Sequence, residues 1–307
     1  MMTDKTDTVV IGGGFSGLLT AIHLKELDSK RNVTVLEQEV YPPQYNALMI
    51  LPPLTRQLLR RITPLNNYKF NEGRFLIFKI ADIERDIVIE TIDTAVVNYL
   101  DFVQMFYQIA LQMGVEIYQN CQTVKIDKKL KLVETSNGKS IGYAHLIEAA
   151  GAGAASKNES VMFTHAAVDR DIYCYPLQCA YTLEKADVNT VFKVVPSEAS
   201  LPKTFNGTIQ IGDMNGYIDH FIDIHTRYTV ISSIYAAEAV YSGKGAKSYY
   251  RNMDSIAEDI KHSLYVRKLV MQDLPLIHKP DFSSLLASVL LFGNPYKKLY
   301  EYLKLRL

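Results

Sequence analysis

A β-branched run, Thr8 to Ile11, stops at Gly12, and a stretch of helical character, Leu18 to Lys25, follows close behind. Between them Gly12, Gly14 and Gly17 in GGGFSG have the spacing G-x-G-x-x-G. On a strand-to-helix turn the first glycine permits the tight turn, the second lets a pyrophosphate approach the backbone, and the third lets helix pack on strand. The open N–H groups of the helix start, at Phe15 and Ser16, then face the phosphate. A second strand, Asn32 to Leu36, ends in Glu37, twenty residues beyond Gly17. A carboxylate there accepts hydrogen bonds from a ribose hydroxyl and disfavours a 2′-phosphate. Strand, helix, second strand and terminal acid in this order predict a β-α-β unit that binds a dinucleotide.

The chain then leaves the simple alternation of a nicotinamide domain. Arg74 to Thr91 is strand-like with a turn near Arg85-Asp86, and Asn98 to Met113 is an amphipathic helix closed by Gly114. Val115 to Tyr118 is a strand, and VKIDKKLKLVETSNGKSI is a hairpin whose Asn137-Gly138 pair suits a type I′ turn. AHLIEAAGAGA is a short apolar strand running into Gly151 and Gly153.

GGGFSG, VTVLE, FYQIALQMGVEIY, the hairpin and LIEAAG, in that order, resemble the flavoprotein group of geranylgeranyl reductases and aromatic hydroxylases. The resemblance resumes at IQIGDMNGYID, which is similar to that group's G-D-A-A-G-F-x-D segment. It implies an α/β chain with an FAD/NAD(P)-binding Rossmann-like domain, a parallel sheet with a β-meander. The cofactor implied is FAD, with NADH or NADPH as a transient electron donor, and the absence of a second G-x-G-x-x-G in mid-chain agrees. Type II NADH dehydrogenases, which carry two such turns, are the minor alternative. The residues implied as FAD ligands are Gly12, Gly14, Phe15, Ser16, Gly17, Glu37, Gly151, Gly212 and Asp213. The division implied is a discontinuous FAD-binding domain, 1–155 with 206–243, a reduced substrate region, 156–205, and a C-terminal helical segment, 244–307.

Three departures separate the chain from that group. After Gly-Asp the group continues D-P-x-x-G-x-G, whereas this chain reads D-H-F-I-D-I-H, with His220 for the proline and Asp223 and His225 for the glycines. Imidazole near a reduced flavin could donate a proton, but histidines without an identified partner read as ordinary helix-start residues. Between LIEAAG and IGD only about fifty residues intervene, with no tryptophan. Tyr173, Tyr175, Tyr181 and Val191 to Val195 suggest a few strands there. The pocket they form is expected to be small, open, or completed by a partner subunit or second copy. After Glu37 a glycine-rich loop gives way to YPPQYN, where Tyr41 and Tyr45, like Arg56 beyond them, read as packing residues because tyrosine is abundant, 20 in all.

Thr226 to Tyr241 is spaced as a helix, helices continue through 246–272, and NPYKKLYEYLKLRL sets Tyr296, Leu299, Tyr300, Leu303 and Leu307 on one face. That stripe suits a capping helix and also a membrane-surface helix. No segment is long enough to span a bilayer; the longest apolar stretch near the C-terminus is Phe282 to Phe292. Lys plus Arg equals Asp plus Glu, 33 each, so no global field draws nucleic acid. Cys121, Cys174 and Cys179 are odd in number and lack C-x-x-C spacing, which argues against disulfides or a metal site and fits a reducing cytosol. A cytoplasmic protein, with peripheral membrane contact as a second expectation, follows.

The function expected is an FAD-dependent oxidoreductase passing hydride from a nicotinamide donor to a small or isoprenoid-like, lipid-like apolar substrate. The alternative is a diverged, non-catalytic FAD- or ADP-binding protein acting through a partner. No catalytic side chain is assigned, because the flavin performs the chemistry in such proteins.

Overall fold

The computed structural model describes residues 4–41, 48–62, 71–78, 87–151, 160–168, 171–175, 191–196, 201–205, 207–219, 221 and 226–306. Tyr45, Gly153, Cys179, Tyr181, His220, Asp223, His225, Leu307 and the Arg85-Asp86 turn lie outside these residues. In chain order the elements are β1 (Asp4–Ile11), α1 (Phe15–Leu27), β2 (Val33–Leu36), β3 (Leu48–Leu51), α2 (Pro53–Ile62), β4 (Asn71–Phe78), β5 (Ile87–Asn98), α3 (Tyr99–Gln112) and β6 (Glu116–Tyr118). There follow β7 (Thr123–Asp127), β8 (Leu132–Thr135), β9 (Ser140–Glu148), β10 (Ser160–Val168), β11 (Asp171–Tyr175), β12 (Val191–Pro196) and β13 (Ile209–Gln210). The chain closes with α4 (Thr226–Tyr241), α5 (Gly245–Gln272), α6 (Phe282–Phe292) and α7 (Lys297–Lys304).

Among the described residues the strands form two sheets. The first runs β6-β2-β1-β9-β8-β7, with β13 also on β9. The β2, β9, β6 and β13 pairings are parallel, and β7-β8-β9 is the antiparallel meander. β9 is long enough to serve two neighbours on one side: Ser140 to Gly142 pair with β8, while Ile147 and Glu148 pair with β13. α1 lies against the sheet between α3 and α4 and buries residues all round, from Leu18 and Leu19 to Ile22 and Leu24. A helix covered on several sides reads as apolar throughout rather than striped. Asn98 caps α3, its Oδ1 accepting from the Leu100 N–H at 2.9 Å, as a short polar side chain at a helix start does.

The second sheet runs β12-β10-β11-β4-β5-β3. Three of its strands, β3, β4 and β5, come from within the stretch expected to belong wholly to the first domain. β10, β11 and β12 are therefore half of a six-stranded sheet that β3, β4 and β5 complete through the β11–β4 pairing. α5, α6 and α7 bury a second apolar cluster together with Ile50 on β3 and Ile89 and Val96 on β5.

Two expectations are corrected. Asn137 does not take the positive φ that a type I′ turn needs; only Gly138 does, at φ 79. Thr135 N–H donates to the Lys139 carbonyl at 3.0 Å, so the hairpin closes over three residues with glycine in the left-handed position. The residues 246–272 form one continuous helix, α5, rather than several. The C-terminal stripe faces inward: Tyr296, Leu299 and Leu303 are fully buried, so the face that suited a membrane surface is spent on the core. Among the described residues no helix is long and apolar enough to cross a membrane.

Candidate functional site

Strand register builds the site. Tyr118, Leu36, Ile11, Glu148 and Gln210 are level across five neighbouring parallel strands. The next residue of each strand continues the ladder: the N–H groups of Glu37, Gly12, Ala149 and Ile211 donate to Tyr118, Leu36, Ile11 and Glu148 carbonyls at 2.7–3.0 Å. Every segment that leaves the sheet here leaves from its carboxyl edge, where open parallel sheets place ligands. Glu37, the glycine turn, the Ala149–Gly151 end and Gly212-Asp213 are thereby brought together from positions up to 201 residues apart, Gly12 to Asp213.

The three glycines of the turn differ in what surrounds them. A Cβ on Gly12, whose φ is 101, would collide with the Ala149 carbonyl and come within 2.9 Å of Ala150 Cα. One on Gly17 would collide with the Gly12 carbonyl. These two glycines are required by the turn's own closure and by the neighbouring strand end. Among the described residues, one on Gly14 would meet only the Tyr99 hydroxyl, at 3.2 Å. Gly14 is the N-cap of α1 and supplies no side chain to its first turn, so the amides of Phe15 and Ser16 stay available to an anion. Phe15 contributes through its backbone alone, because its ring is buried against Phe102 and Phe106 at centroid distances of 5.2 and 5.3 Å.

From this asymmetry Gly14→Ala is expected to fold normally, within about 0.5 kcal/mol of the parent in urea unfolding. Its nucleotide affinity, measured by calorimetry, is expected to fall by about tenfold or more, because the methyl stands where the backbone must be approached closely.

Gly212, at φ 57, sits directly on the start of α1: a Cβ there would lie 3.2 Å from both Cβ and Oγ of Ser16. The Gly212 N–H donates to Ser232 Oγ at 3.1 Å, and the Ser233 hydroxyl donates to the Ser16 carbonyl at 3.1 Å. α4 thus fastens the Gly-Asp turn to the helix that follows the glycine turn. Gly216, also left-handed, ends the short 3-10 turn Gly212–Asn215. Gly151 has φ 76, and among the described residues nothing lies within 4 Å of where its Cβ would be. Ser232, Ser233 and Tyr99 carry no signal in the sequence, since each is an ordinary polar residue inside or at the start of a helix.

On the other side of the turn Glu37 uses both carboxylate oxygens: Oε2 accepts from Gly13 N–H at 2.7 Å and Oε1 from Glu39 N–H at 2.9 Å. Tyr41, which reads in the sequence as a packing residue, is at the site itself. Its hydroxyl donates to the Gly13 carbonyl, and its ring stacks on Tyr107 with centroids 4.3 Å apart. Burial, with the Glu37 charge second, pushes the phenol far above its ordinary pKa, so it is a neutral donor. Arg56 is indeed structural: it is buried on α2 and paired with Asp93 at 2.6 Å.

Residues 6–162 match the family model described as pyridine nucleotide-disulphide oxidoreductase. No curated protein matches the sequence. Among solved structures, a flavoprotein/dehydrogenase from Cytophaga hutchinsonii is similar at 16% identity and TM-score 0.69, over 98% of this chain and 99% of that one. A flavin-dependent brominase is similar at 16% identity and TM-score 0.65, over 93% of each chain. A geranylgeranyl bacteriochlorophyll reductase-like protein from Thermoplasma acidophilum is similar at 13% identity and TM-score 0.61, over 98% of this chain and all of that one. At these identities the likeness is one of fold.

Proposed function

Since the chain belongs to the pyridine nucleotide-disulphide oxidoreductase family, we propose that it is an FAD-dependent oxidoreductase, taking hydride from NADH or NADPH and passing it to a small or isoprenoid-like apolar substrate. The observation that carries this reading is the meeting of the glycine turn, Glu37, the Ala149–Gly151 end and Gly212-Asp213 at one carboxyl edge. Packing by itself has no need of a helix start left without a side-chain cap beside an acid and a second glycine turn.

The residues fit a dinucleotide at its phosphates. Phe15 and Ser16 amides hold the pyrophosphate, where the positive end of α1 favours negative charge. Glu37 would hold the adenine ribose: among the described residues each of its oxygens accepts one backbone N–H and keeps a lone pair for a hydroxyl. Asp213, next to the Gly212 that packs on Ser16, would hold the ribityl chain. The flavin, when bound, supplies the two-electron chemistry; the chain's own part is to bind and orient it.

A preparation of the protein is expected to be yellow, with visible flavin bands that bleach under nitrogen on adding NADH or NADPH. The second reading, a non-catalytic nucleotide binder working through a partner, is favoured by the Tyr41 hydroxyl lying beside Glu37 on the glycine turn. A colourless preparation that binds ADP and not FAD decides for it.

A further inference from the structure

A ribose held by Glu37 has to lie beside the point where that carboxylate meets the glycine turn, at the Gly13 N–H to Oε2 bond of 2.7 Å, and the Tyr41 hydroxyl stands on the same residue of the turn. A Cβ built on Gly13 would collide with the Tyr41 hydroxyl and lie 3.0 Å from its Cζ and 3.2 Å from Glu37 Cβ. Three contacts hold Tyr41 in that position, two through its phenol and one through its backbone. The hydroxyl donates to the Gly13 carbonyl, the ring face stacks on Tyr107 at an interplanar angle of 26°, and the Tyr41 N–H donates to Gln119 Oε1 at 2.9 Å. Gln119 closes the loop by donating from Nε2 to the Tyr107 hydroxyl at 2.8 Å. Gln119 is itself the first residue beyond β6, on the same carboxyl edge as Glu37 and Gly12.

Resting on the reading that this site takes an adenine dinucleotide, we propose that Tyr41 occupies the ribose seat of the ligand-free protein and is the side chain that sets nucleotide affinity, an incoming adenosine group having to displace its phenol. A phenol and a ribose hydroxyl offer the same turn the same kind of donor, so the side chain substitutes for the ligand it excludes. Displacement lowers the apparent affinity of every adenosine ligand by the same factor, the fraction of molecules with the seat open. ADP, which has only the ribose and phosphate contacts, is thereby held to weak binding. FAD has a second set of contacts at Asp213 to offset the loss.

The test is calorimetric titration with ADP of protein stripped of bound nucleotide, for the parent, Tyr41→Phe and Tyr41→Ala. Tyr41→Phe keeps the ring and removes one hydrogen bond, and is expected to tighten ADP binding by about threefold to tenfold. Tyr41→Ala also removes the stack on Tyr107 and is expected to tighten it by about tenfold to 100-fold. Unchanged or weaker ADP binding in Tyr41→Phe overturns the proposal; if Tyr41→Ala does not fold, the phenylalanine variant decides. ADP tightening in protein that never binds FAD upholds the Tyr41 assignment and sinks the oxidoreductase reading. Yellow, NADH-bleached protein with no tightening does the reverse. Folded protein in which neither parent nor variant binds ADP or FAD overturns both.

Discussion

Asp259→Ala is expected to lower the stability of the folded chain by about 3–5 kcal/mol, read as a shift in the urea midpoint at unchanged slope. Asp259 on α5 is buried, and its Oδ2 accepts from the Arg227 guanidinium at 2.7 Å and from the Tyr228 hydroxyl at 2.8 Å. Its Oδ1 accepts from the Tyr296 N–H at 2.6 Å. Burial works against the Arg227 charge, but Tyr228, Asp259, Tyr296 and Asp219 together outweigh it, and the guanidinium stays protonated. Removing the carboxylate leaves that charge in the interior and strips two further donors of their acceptor. Replacing both partners, Arg227→Met with Asp259→Leu, is expected to cost less than Asp259→Ala, because the guanidinium is not left buried without its carboxylate. An Asp259→Ala midpoint close to that of the parent would remove the pair from the account of stability.

The same network reaches the candidate site. The Tyr296 hydroxyl, kept neutral by burial and by Asp219 beside it, donates to Asp219 Oδ2 at 2.7 Å. Asp219 Oδ1 accepts from the Phe221 N–H at 2.9 Å. The segment that begins at Gly212 is therefore tied at one end to α1 and α4 and at the other to the C-terminal helices. Nucleotide affinity is expected to fall along with stability in Asp259→Ala.

Gly17→Ala is expected to abolish nucleotide binding, with a loss on the order of 100-fold or more, and to destabilise by about 1–3 kcal/mol. The new Cβ would collide with the Gly12 carbonyl and sit 3.1 Å from Gly12 C and 3.3 Å from Val10 Cγ1. The first two are backbone of the turn itself, so there is no flexible side chain to give way. Either α1 lifts off β1 or the turn opens, and both move the amides that face the phosphate. Calorimetry with ADP and urea unfolding on the same preparation check the two halves. Its contrast with Gly14→Ala is what separates a glycine that shapes the turn from one that admits the ligand. Equal effects in the two variants would contradict the geometry.

Local chemistry made much of this legible in the sequence. A β-branched run ending in glycine, an acid ending the next strand, Asn98 at a helix start and the period from Thr226 to Tyr241 each report on neighbours a few residues away. The structure has β1, β2, α3 and α4 where those signals lie, with the N-terminus of β1 extended to Asp4. The Asn137-Gly138 signal marked the hairpin correctly and its turn type wrongly, because the loop length that selects the type depends on how β8 and β9 pair.

Other features depend on contacts between residues far apart in the chain, and no local pattern encodes them. β3, β4 and β5 look as well suited to the first sheet as to the second; the pairing of β11 with β4 decides between them. Tyr41 is one tyrosine among 20 until Tyr107 and Gln119 hold it over Gly13. The apolar stripe at Tyr296, Leu299 and Leu303 is the same whether it meets lipid or α5, and packing gave it to the core. Sequence alone determined that a glycine turn and an acid would stand at the ends of adjacent strands. Tertiary structure decided what else stands there, since strand register and side-chain destination are fixed by non-local partners whose burial no short window of residues can report.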